Sequence, residues 1–352
     1  MILRLTTVEK LLRRLHLLPT PVMDAFGGVI FGRALAIAVR RGLFEMIAAG
    51  PVGIEEISRS TGLSAPGTRL LVDSFVAGGY LKRSAGVYSV SGESEKWLLK
   101  GSPTYLGNLI LYFETLYPRW EGMEYSLDHG GPRHPSYASF SDRDWEIYLL
   151  GMRDLARLLW PDILPRLHLP SGHLLDIGGS HGLFAIECCR RAPSLQAIIM
   201  DFEPVVRRSA DFVHEAGMDD RVRFLSGDFL TTPLPPGQDT ILMFNIVHGF
   251  DASTNRALVE RAMGALAPGG RLYILDQIRA ENRRSPLAQF IPLMVGLNLL
   301  NEIGGYAFSE EEVRSWCGEA GRIRVMPLRL PGVSLVEATK RGTLSSDGPP
   351  GV

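Results

Sequence analysis

One stretch of the sequence restricts the fold more than any other: "HLLDIGGSHGLFAIECCRRAPSLQAIIMDF", residues 173–202. A short apolar run ends in a glycine turn, a helical pattern follows, and a second apolar run ends in an acid. The same alternation of strand and helix continues through "GRLYILDQI". Such alternation is typical of a parallel sheet covered by helices on both faces. The sequence therefore predicts an α/β, Rossmann-like sheet domain.

The end of this domain carries its own signals. The run "SEEEVRSWCGEAG" begins with Ser309 followed by Glu312, a capping box that indicates the start of a helix. The run "RIRVMPLRLPGVSLVEATK" is typical of two closing strands around Pro331 and Gly332. We place the sheet domain at residues 169–340. The tail 341–352 is polar and rich in Gly and Pro, and we expect it to be disordered.

The glycine turn is poorly suited to a pyrophosphate. Its glycines are Gly178, Gly179 and Gly182. A nicotinamide dinucleotide normally requires G-x-G-x-x-G, but the later glycine positions counted from Gly178 hold Ser180 and Leu183. Asp176, inside the strand end, would repel a pyrophosphate but could accept hydrogen bonds from an ammonium group. S-adenosylmethionine carries an ammonium and no phosphate, so it is the predicted cofactor; a dehydrogenase is the alternative.

Acids also follow the next two strands. Asp201 ends the second strand, and Asp228 follows "FLSG". We predict that Asp201 accepts hydrogen bonds from both ribose hydroxyls and Asp228 from the adenine amino group, beside Phe229. Phe202 and Gly227 adjoin these acids and belong to the same predicted cofactor site. The alternative for Asp201 and Asp228 is a purely local role in capping a helix or forming a turn.

Residues 27–99 show short helices followed by a brief strand pair. A turn at Gly62, a helix from Ser64 to Gly79 and a hairpin around Gly86 describe a winged-helix module. We place this N-terminal domain, all-helical apart from the hairpin, at residues 1–100. A helical linker rich in aromatic residues follows at 101–168 and could wall a ligand pocket.

The winged-helix module is predicted to serve dimerisation. A helix that reads DNA would need several cations, but Ser64 to Gly79 offers only Arg69, opposed by Asp73. The preceding helical region is more apolar than one face of an exposed helix requires, which suggests burial against a partner subunit. The apolar residues in question are Phe31, Leu35, Ile37, Leu43 and Phe44.

Composition favours a globular protein with a small, uncharged partner. Lys and Arg total 37 against 38 Asp and Glu, a net charge of -1, which gives no electrostatic case for nucleic acid. The three cysteines form no C-x-x-C pair and are expected to be buried thiols. The apolar run from Pro286 to Leu300 is too short for a membrane span and is expected to be a packed helix. The N-terminus lacks a secretory pattern. We therefore expect a cytoplasmic protein without a membrane partner.

The chain resembles the winged-helix-containing, S-adenosylmethionine-dependent small-molecule O-methyltransferases, which include plant caffeic-acid-type and bacterial polyketide-tailoring enzymes. The likeness covers about residues 27–339. The resemblance implies a domain-interlocked homodimer and a substrate pocket between the linker and the sheet domain. The segments that carry it are "GLFEMIAAGPVGIEEISRSTGL", "LLDIGGSHGLFAIECCRRAPSLQAIIMD", "RVRFLSGDF", "DTILMFNIVHGFD", "ALAPGGRLYILD" and "GGYAFSEEEVRSWCGEAG".

The resemblance assigns a general base to His248, in "VHGF" at the end of the fourth strand. Histidine suits the removal of a hydroxyl proton because its ordinary pKa is near neutrality. The alternative is a histidine that only satisfies a loop; His181 is a lesser candidate, near the cofactor. Gly249 and Phe250 stand where the family often has Asp-Trp. Phe244, four residues earlier, replaces a frequent Lys, Arg or Ser and could contact the cofactor only by stacking or through its backbone.

The orientation of the base and the nature of the acceptor stay open in the sequence. Candidates for the group that orients His248 are Asp276, Asn298 and Glu302. Without a firm orienting carboxylate, C- or N-methylation by proximity is a further alternative, as is a regulator that binds the cofactor without chemistry. No metal site is predicted.

The predicted acceptor is small, mostly apolar and aromatic or polycyclic. This follows from the residues expected to line its pocket, although Met and aromatic residues at helical spacing are as often plain core. The predicted lining residues are Met152, Phe290, Met294 and Asn298.

Overall fold

The structure is a computed structural model that describes residues 5–279, 285–318 and 320–342. The chain divides into two compact units. The first comprises residues up to Tyr117 together with Leu150–Arg157, and the second comprises Pro118–Leu149 and the residues from Leu158 onward. The predicted linker 101–168 thus contributes residues to both units. The tail from residue 343 lies outside the described residues.

Fourteen α-helices are assigned in the described part of the chain. They are α1 (Thr7–Arg14), α2 (Thr20–Arg40), α3 (Leu43–Ala48), α4 (Ile54–Thr61), α5 (Ala65–Ala77), α6 (Gly92–Trp97), α7 (Gly107–Leu116), α8 (Met123–His129), α9 (Asp142–Ile163), α10 (Leu183–Arg191), α11 (Glu203–Glu215), α12 (Ala252–Ala265), α13 (Pro286–Ile303) and α14 (Glu310–Trp316). Short 3-10 helices occur at Arg119–Gly122, Ser136–Ser139, Leu164–Arg166 and Val247–Gly249.

Nine strands form two sheets in the same described residues. They are β1 (Leu81–Ser84), β2 (Val87–Val90), β3 (His173–Ile177), β4 (Gln196–Asp201), β5 (Val222–Ser226), β6 (Gln238–Phe244), β7 (Leu266–Gln277), β8 (Ala320–Pro327) and β9 (Val333–Lys340). The hairpin β1–β2 belongs to the N-terminal unit and lies at the predicted place around Gly86, and the other elements of this unit are helices.

The seven-stranded sheet has the order β5-β4-β3-β6-β7-β9-β8. Strands β5, β4, β3, β6 and β7 are parallel, β9 pairs antiparallel with β7, and β8 pairs antiparallel with β9 at the edge of the sheet. The central strands are buried almost throughout, as expected for parallel strands that are covered on both faces. The predicted α/β fold is confirmed, and Ser309 forms its predicted capping box with Glu312 at the start of α14.

Because β4 and β6 flank β3 on opposite sides, the chain reverses its strand order next to β3. In open parallel sheets, ligands bind beyond the carboxyl ends of the strands at such a reversal. The turn after β3, with the predicted glycines, lies at this position. All three cysteines are free and buried, as predicted.

The apolar residues of the N-terminal helices are distributed differently from the prediction. Leu43 and Phe44 are buried in the core of the N-terminal unit itself. Phe31 and Leu35 pack against that same core, whereas the sequence predicted that they are buried against a partner subunit. This happens because a turn at Gly42 separates α2 from α3 and folds the two helices onto one core. The exposed apolar side chains lie earlier in α2, at Val22, Phe26, Val29 and Ile30, with Phe26 69% exposed.

Helix α2 is also the described helix whose length and composition would allow it to cross a membrane, although these two properties are weak evidence. Helix α13 covers the apolar run that was expected to be a packed helix. Its first half is packed on one side only: Ala288 and Pro292 are buried, whereas Leu287, Phe290, Leu293 and Met294 are exposed. Leu299 and Glu302 in its last turns are buried. The sequence missed this because apolar residues surround the whole helix, so no stripe marks a buried face.

Candidate active site

The glycine turn is shaped by close contacts at its first two residues. Gly178 has φ +64°, and a Cβ there would lie 2.2 Å from Ile246 Cδ1. A Cβ on Gly179 would lie 2.6 Å from Asp176 Cγ. Gly182 is the N-cap of α10 and also has a positive φ. The turn therefore brings bare backbone against Ile246 and the end of β3.

Asp176 is a buried acid without an internal partner. Its residue is 1% exposed, and neither carboxylate oxygen has a hydrogen-bond partner among the described residues. Burial raises its pKa to about 8, with a further contribution from the charge of Asp201. A buried carboxylate without donors is costly unless a ligand supplies them. The carboxylate of Asp176 is thus available to accept hydrogen bonds from a cationic or other donor group of a ligand.

Asp201 lies at the end of β4, beside the same turn. It accepts hydrogen bonds from the backbone N–H of Ser180 at 2.9 Å and of Phe202 at 2.8 Å. Burial raises its pKa to about 6, against the lowering effect of these two bonds. Ser180 itself has a positive φ of 46°, which bends the turn towards Asp201. The structure therefore brings Asp176, Asp201 and the glycine turn together.

Asp228 is engaged in its own turn after β5. Its carboxylate accepts from the backbone N–H of Leu230 at 2.9 Å and from the hydroxyl of Thr231 at 3.3 Å. This is the local role that the sequence left open as an alternative. Gly227 donates its N–H to the carbonyl of Asp201 at 3.0 Å, which ties this turn to β4.

Aromatic side chains line the same strand ends. Phe229 is buried and packs against Phe202 and Phe250, with ring centroids 5.6 and 6.0 Å away. Phe244 is buried and meets Phe184 of α10 edge to face, at 4.8 Å. His181 accepts a hydrogen bond at Nδ1 from the backbone N–H of Leu183, a bond local to the turn.

His248 stands in the 3-10 turn after β6, and Asp276 orients it. The His248 Nδ1 lies 2.7 Å from Asp276 Oδ1, and the backbone N–H of His248 donates to Asp276 Oδ2 at 3.2 Å. Asp276 is buried at the end of β7, which pairs in parallel with β6. Of the three sequence candidates, Asp276 makes this contact. Because a carboxylate only accepts, it fixes the proton on Nδ1.

The electrostatic surroundings favour the charged form of His248. Burial lowers its pKa, but the charge and hydrogen bond of Asp276 raise it, with smaller contributions from Glu302 and Gln277, and the net result is a raised pKa. A histidine with a fixed tautomer and a raised pKa is equipped to accept a proton.

The segment that follows α13 also supports this turn. The backbone N–H of Tyr306 donates to the carbonyl of His248 at 2.8 Å. A Cβ on Gly305 would lie 2.3 Å from that carbonyl oxygen. The backbone that carries His248 is therefore held both by β7 and by the segment that follows α13.

The residues predicted to contact the acceptor are only partly brought together. Asn298 of α13 accepts from the indole N–H of Trp120 at 2.7 Å and donates to Glu302. Phe290 and Met294, on the same helix, are exposed, Phe290 by 57%. Met152 is partly buried in α9, within the segment that belongs to the N-terminal unit.

Comparisons with known proteins show which family the chain belongs to. Residues 116–322 match the family described as O-methyltransferase domain. The chain is 26% identical over 332 residues to 3-hydroxy-5-methyl-1-naphthoate 3-O-methyltransferase of Streptomyces sahachiroi, covering 91% of this chain and 94% of the relative. It is 29% identical over 348 residues to acetylserotonin O-methyltransferase of Mus musculus, covering 91% and 88%. The chain belongs to the O-methyltransferase family.

Two further comparisons extend this result. The N,N-dimethyltransferase OxyT of Streptomyces rimosus is 28% identical over 257 residues, covering 69% of this chain and 74% of the relative. The crystal structure of human N-acetylserotonin methyltransferase in complex with SAM has a TM-score of 0.80 at 20% identity, covering 96% of this chain and 99% of that one. The fold is thus that of known methyltransferases.

The predicted resemblance is confirmed, and this O-methyltransferase family member is an S-adenosylmethionine-dependent enzyme rather than a dehydrogenase. The site fits the cofactor: Asp176 is an orphaned acceptor for an ammonium, and Gly178 and Gly179 let the turn lie directly against Ile246 and Asp176, where a Cβ would clash. Among the described residues, no group of three or more His, Cys, Asp or Glu could hold a metal ion.

The sequence missed a polar pair beside the turn that carries His248 in this methyltransferase. Asn245 follows β6 with φ +56°, and its side-chain oxygen accepts from Gln277 Nε2 at 3.2 Å. Asn tolerates this left-handed conformation better than most residues. The signal was the polar "DQ" at the end of an otherwise apolar strand, but its partner is known only once β6 and β7 are paired.

Proposed function

We propose that this enzyme methylates a hydroxyl group of a small aromatic or polycyclic natural product, with His248 as the general base. The observation that carries the proposal is the His248–Asp276 pair, which joins the turn after β6 to the end of β7, with β6 next to the strand that leads to the cofactor turn. Since Asp276 occupies Nδ1, Nε2 is the nitrogen that can take the hydroxyl proton. Asp276 then stabilises the positive charge that His248 acquires.

The cofactor supplies an electrophilic methyl group. We infer that Asp176 accepts from its ammonium and Asp201 from its ribose hydroxyls. Asp176 supports this role with two oxygens that lack partners, and Asp201 with its position at the end of β4. For Asp228 we propose the adenine contact as predicted, in addition to its turn bonds. Gly182, Phe202, Gly227, Phe229 and Phe244 complete the proposed cofactor site.

The nature of the acceptor is inferred from the relatives and from the residues of α13. The names of two relatives specify a hydroxynaphthoate and acetylserotonin, both aromatic. We propose that Phe290, Met294 and Asn298 contact such an acceptor, together with Met152. N-methylation is the second candidate, because the name of one relative specifies an N,N-dimethyltransferase. C-methylation is the remaining alternative.

The test of the base is His248→Ala. We expect turnover with a phenolic acceptor to fall about 100-fold or more, since general base catalysis contributes about 10²–10⁴-fold. The affinity for S-adenosylhomocysteine, measured by calorimetry, should stay unchanged. Asp201→Ala provides the matched contrast: it should weaken that affinity about 10-fold or more. Unchanged turnover in His248→Ala would exclude the base assignment and favour proximity alone.

We further propose a homodimer in the cytoplasm, without a nucleic-acid or membrane partner. The exposed apolar residues of α2 support a partner subunit, and Arg33 and Arg40 on the same helix pair with Glu114. The candidate recognition helix α5 supports the exclusion of DNA: Asp73 adds negative charge to it and accepts from the Tyr88 hydroxyl at 2.7 Å. A salt-dependent gel shift on DNA would contradict this part of the proposal.

A further inference from the structure

A cation lies over one ring of an aromatic cluster around the start of α9. The guanidinium of Arg119 lies 4.7 Å from the centroid of the Phe140 ring. Neighbouring rings lie 5.0–6.1 Å apart, at the spacing of mutual packing. We call these rings the aromatic cluster; its members are Tyr137, Phe140, Trp145 and Tyr148.

Arg119 has an unsatisfied donor in this cluster. Its Nη1 is buried and has no hydrogen-bond partner among the described residues. The nearby acid Asp144 is already engaged, because its carboxylate accepts from the N–H and the hydroxyl of Ser141 at 2.9 and 2.6 Å. Arg119 contributes only a smaller part to the lowered pKa of Asp144, after the Ser141 hydrogen bonds and burial. A guanidinium left in this way is matched best by a planar anion that accepts two hydrogen bonds.

The backbone of Arg119 is tied to the helix that supports the catalytic turn. Asn301 Nδ2 donates to the carbonyl of Arg119 at 2.9 Å, and the Trp120 indole donates to Asn298. The same helix, α13, leads directly to Tyr306, which donates to the carbonyl of His248. Arg119 is therefore held in a fixed relation to the proposed base.

The aromatic cluster also lies near both halves of the site. Burial raises the pKa of Tyr148 to about 12, and the charges of Asp201 and Glu302 contribute to this rise. Asp201 belongs to the cofactor edge, and Glu302 is a buried acid that also acts on His248. The 3-10 turn Ser136–Ser139, which carries Tyr137 of the cluster, also packs against α13, and α13 packs against the 3-10 turn of His248. The cluster is therefore part of the side of the site that α13 forms.

We propose that Arg119 binds a carboxylate carried by the acceptor, so that the preferred substrate is a hydroxylated aromatic acid held against the aromatic cluster. This inference rests on the proposed function. A carboxylate could also come from the amino-acid end of the cofactor. The contacts favour the acceptor, because Arg119 is tied to α13 and Phe140, whereas the proposed cofactor residues follow β3, β4 and β5.

The experiment compares aromatic acids with their parent phenols. Binding is measured by calorimetry with S-adenosylhomocysteine present. Three pairs are compared, each an acid with its parent phenol: 3-hydroxy-1-naphthoate with 2-naphthol, 3-hydroxybenzoate with phenol, and 3-hydroxyanthraquinone-2-carboxylate with 2-hydroxyanthraquinone. We expect at least one acid to bind about 10-fold more tightly than its parent. Arg119→Gln should weaken binding of that acid about 10- to 100-fold and leave the parent phenol unchanged. Arg119→Lys keeps the charge, so its affinity for the acid should lie between those of the wild type and Arg119→Gln.

Arg133→Gln is the matched control, since Arg133 also lies over a ring, that of Tyr125 at 4.5 Å, but is exposed. It should leave all affinities unchanged. The proposal is overturned if no acid is preferred, if Arg119→Gln weakens acid and phenol alike, or if it weakens S-adenosylhomocysteine itself.

A separate methyl-transfer assay distinguishes this failure from that of the proposed function. Binding of an acid that depends on Arg119 without methylation of its oxygen would contradict the proposed function and support the carboxylate site. Methylation of the acceptor oxygen at the same rate in wild type and Arg119→Gln would support the proposed function and contradict the carboxylate site.

Discussion

The proposed chemistry of His248 depends on the buried acid beside it. Asp276 both raises the pKa of the imidazole and fixes its tautomer, against the lowering effect of burial. In Asp276→Asn the raising effect is lost, so the pKa of His248 falls. The acid limb of the profile of kcat/KM against pH should then move to lower pH. Turnover should decrease about 10- to 100-fold, because the imidazole is no longer oriented.

The control for this prediction is a second His–Asp pair. His214 and Asp219 lie 3.2 Å apart but are both exposed. Asp219→Asn should change neither the pH profile nor turnover. If Asp276→Asn kept the wild-type acid limb, Asp276 would have no influence on the base, and the limb would have to be assigned to another group.

A second pH dependence is expected at Asp176. Its pKa is raised to about 8 by burial and by Asp201, so most of the carboxyl groups are protonated at pH 7 without ligand. Binding of an ammonium favours the ionised form, so binding should release a proton below pH 8. The affinity for S-adenosylhomocysteine should therefore rise with pH up to about 8. Calorimetry in buffers of different ionisation enthalpy measures the released proton.

Asp176→Asn separates this effect from other titrations. The variant should bind more weakly, and proton release should disappear because the amide does not ionise. Proton release that persisted in the variant would assign the pH dependence to a different residue, with Asp201 the first to consider since its pKa is raised to about 6.

At the residue scale, strand ends were predictable and cross-strand partners were not. Asp176 and Asp201 could be located because each directly follows an apolar run that can only be a strand. The choice among Asp276, Asn298 and Glu302 could not be made from the sequence, since it depends on the pairing of β6 with β7. Arg119 lies in a 3-10 turn, which gives no periodic signal in the sequence. The burial of its Nη1 without a hydrogen-bond partner depends on residues far away in the chain, so it could not be predicted.

At the scale of elements, the glycine turn can be tested with a pair of glycines. Gly178 and Gly217 have the same φ of +64°, but a Cβ on Gly217 would meet nothing within 4 Å. Both Ala variants pay for the left-handed backbone, about 1–2 kcal/mol. Gly178→Ala also clashes with Ile246, so its total loss should be about 2–5 kcal/mol.

Chemical denaturation measures both free energies of unfolding, and calorimetry the cofactor affinity. Gly178→Ala should also weaken S-adenosylhomocysteine, whereas Gly217→Ala should not, because Gly217 lies after α11 and away from the strand ends. Equal losses in the two variants would mean that the contact with Ile246 relaxes freely and that the turn tolerates a side chain.

For two helices, the hydrophobic periodicity of the sequence does not predict which face is buried. The order of strands and helices from β3 to β7 followed directly from the alternation in the sequence. Helices α2 and α13 are apolar around most of their circumference, so their buried faces could not be read from periodicity. Which of their apolar residues are exposed depends on the other elements of the unit that pack against each helix.

At the scale of the whole molecule, the exposed apolar stretch of α2 predicts the assembly state. Val22, Phe26, Val29 and Ile30 form a surface that a soluble chain normally covers. We expect the wild type to elute as a dimer in size-exclusion chromatography with light scattering, and Phe26→Glu to shift the mass towards the monomer. The effect follows because a charge on the buried side of an interface is strongly unfavourable unless it is paired.

Leu70→Glu is the control for this last prediction. Leu70 is as exposed as Phe26, at 73%, but lies on α5, outside the α2 stretch. It should leave the mass unchanged, so the comparison separates a specific interface from a general gain in solubility. If Phe26→Glu remained dimeric while Leu70→Glu dissociated, the subunit contact would run through the candidate recognition helix. A wild type that bound vesicles as a monomer would instead assign the apolar surface of α2 to a lipid partner.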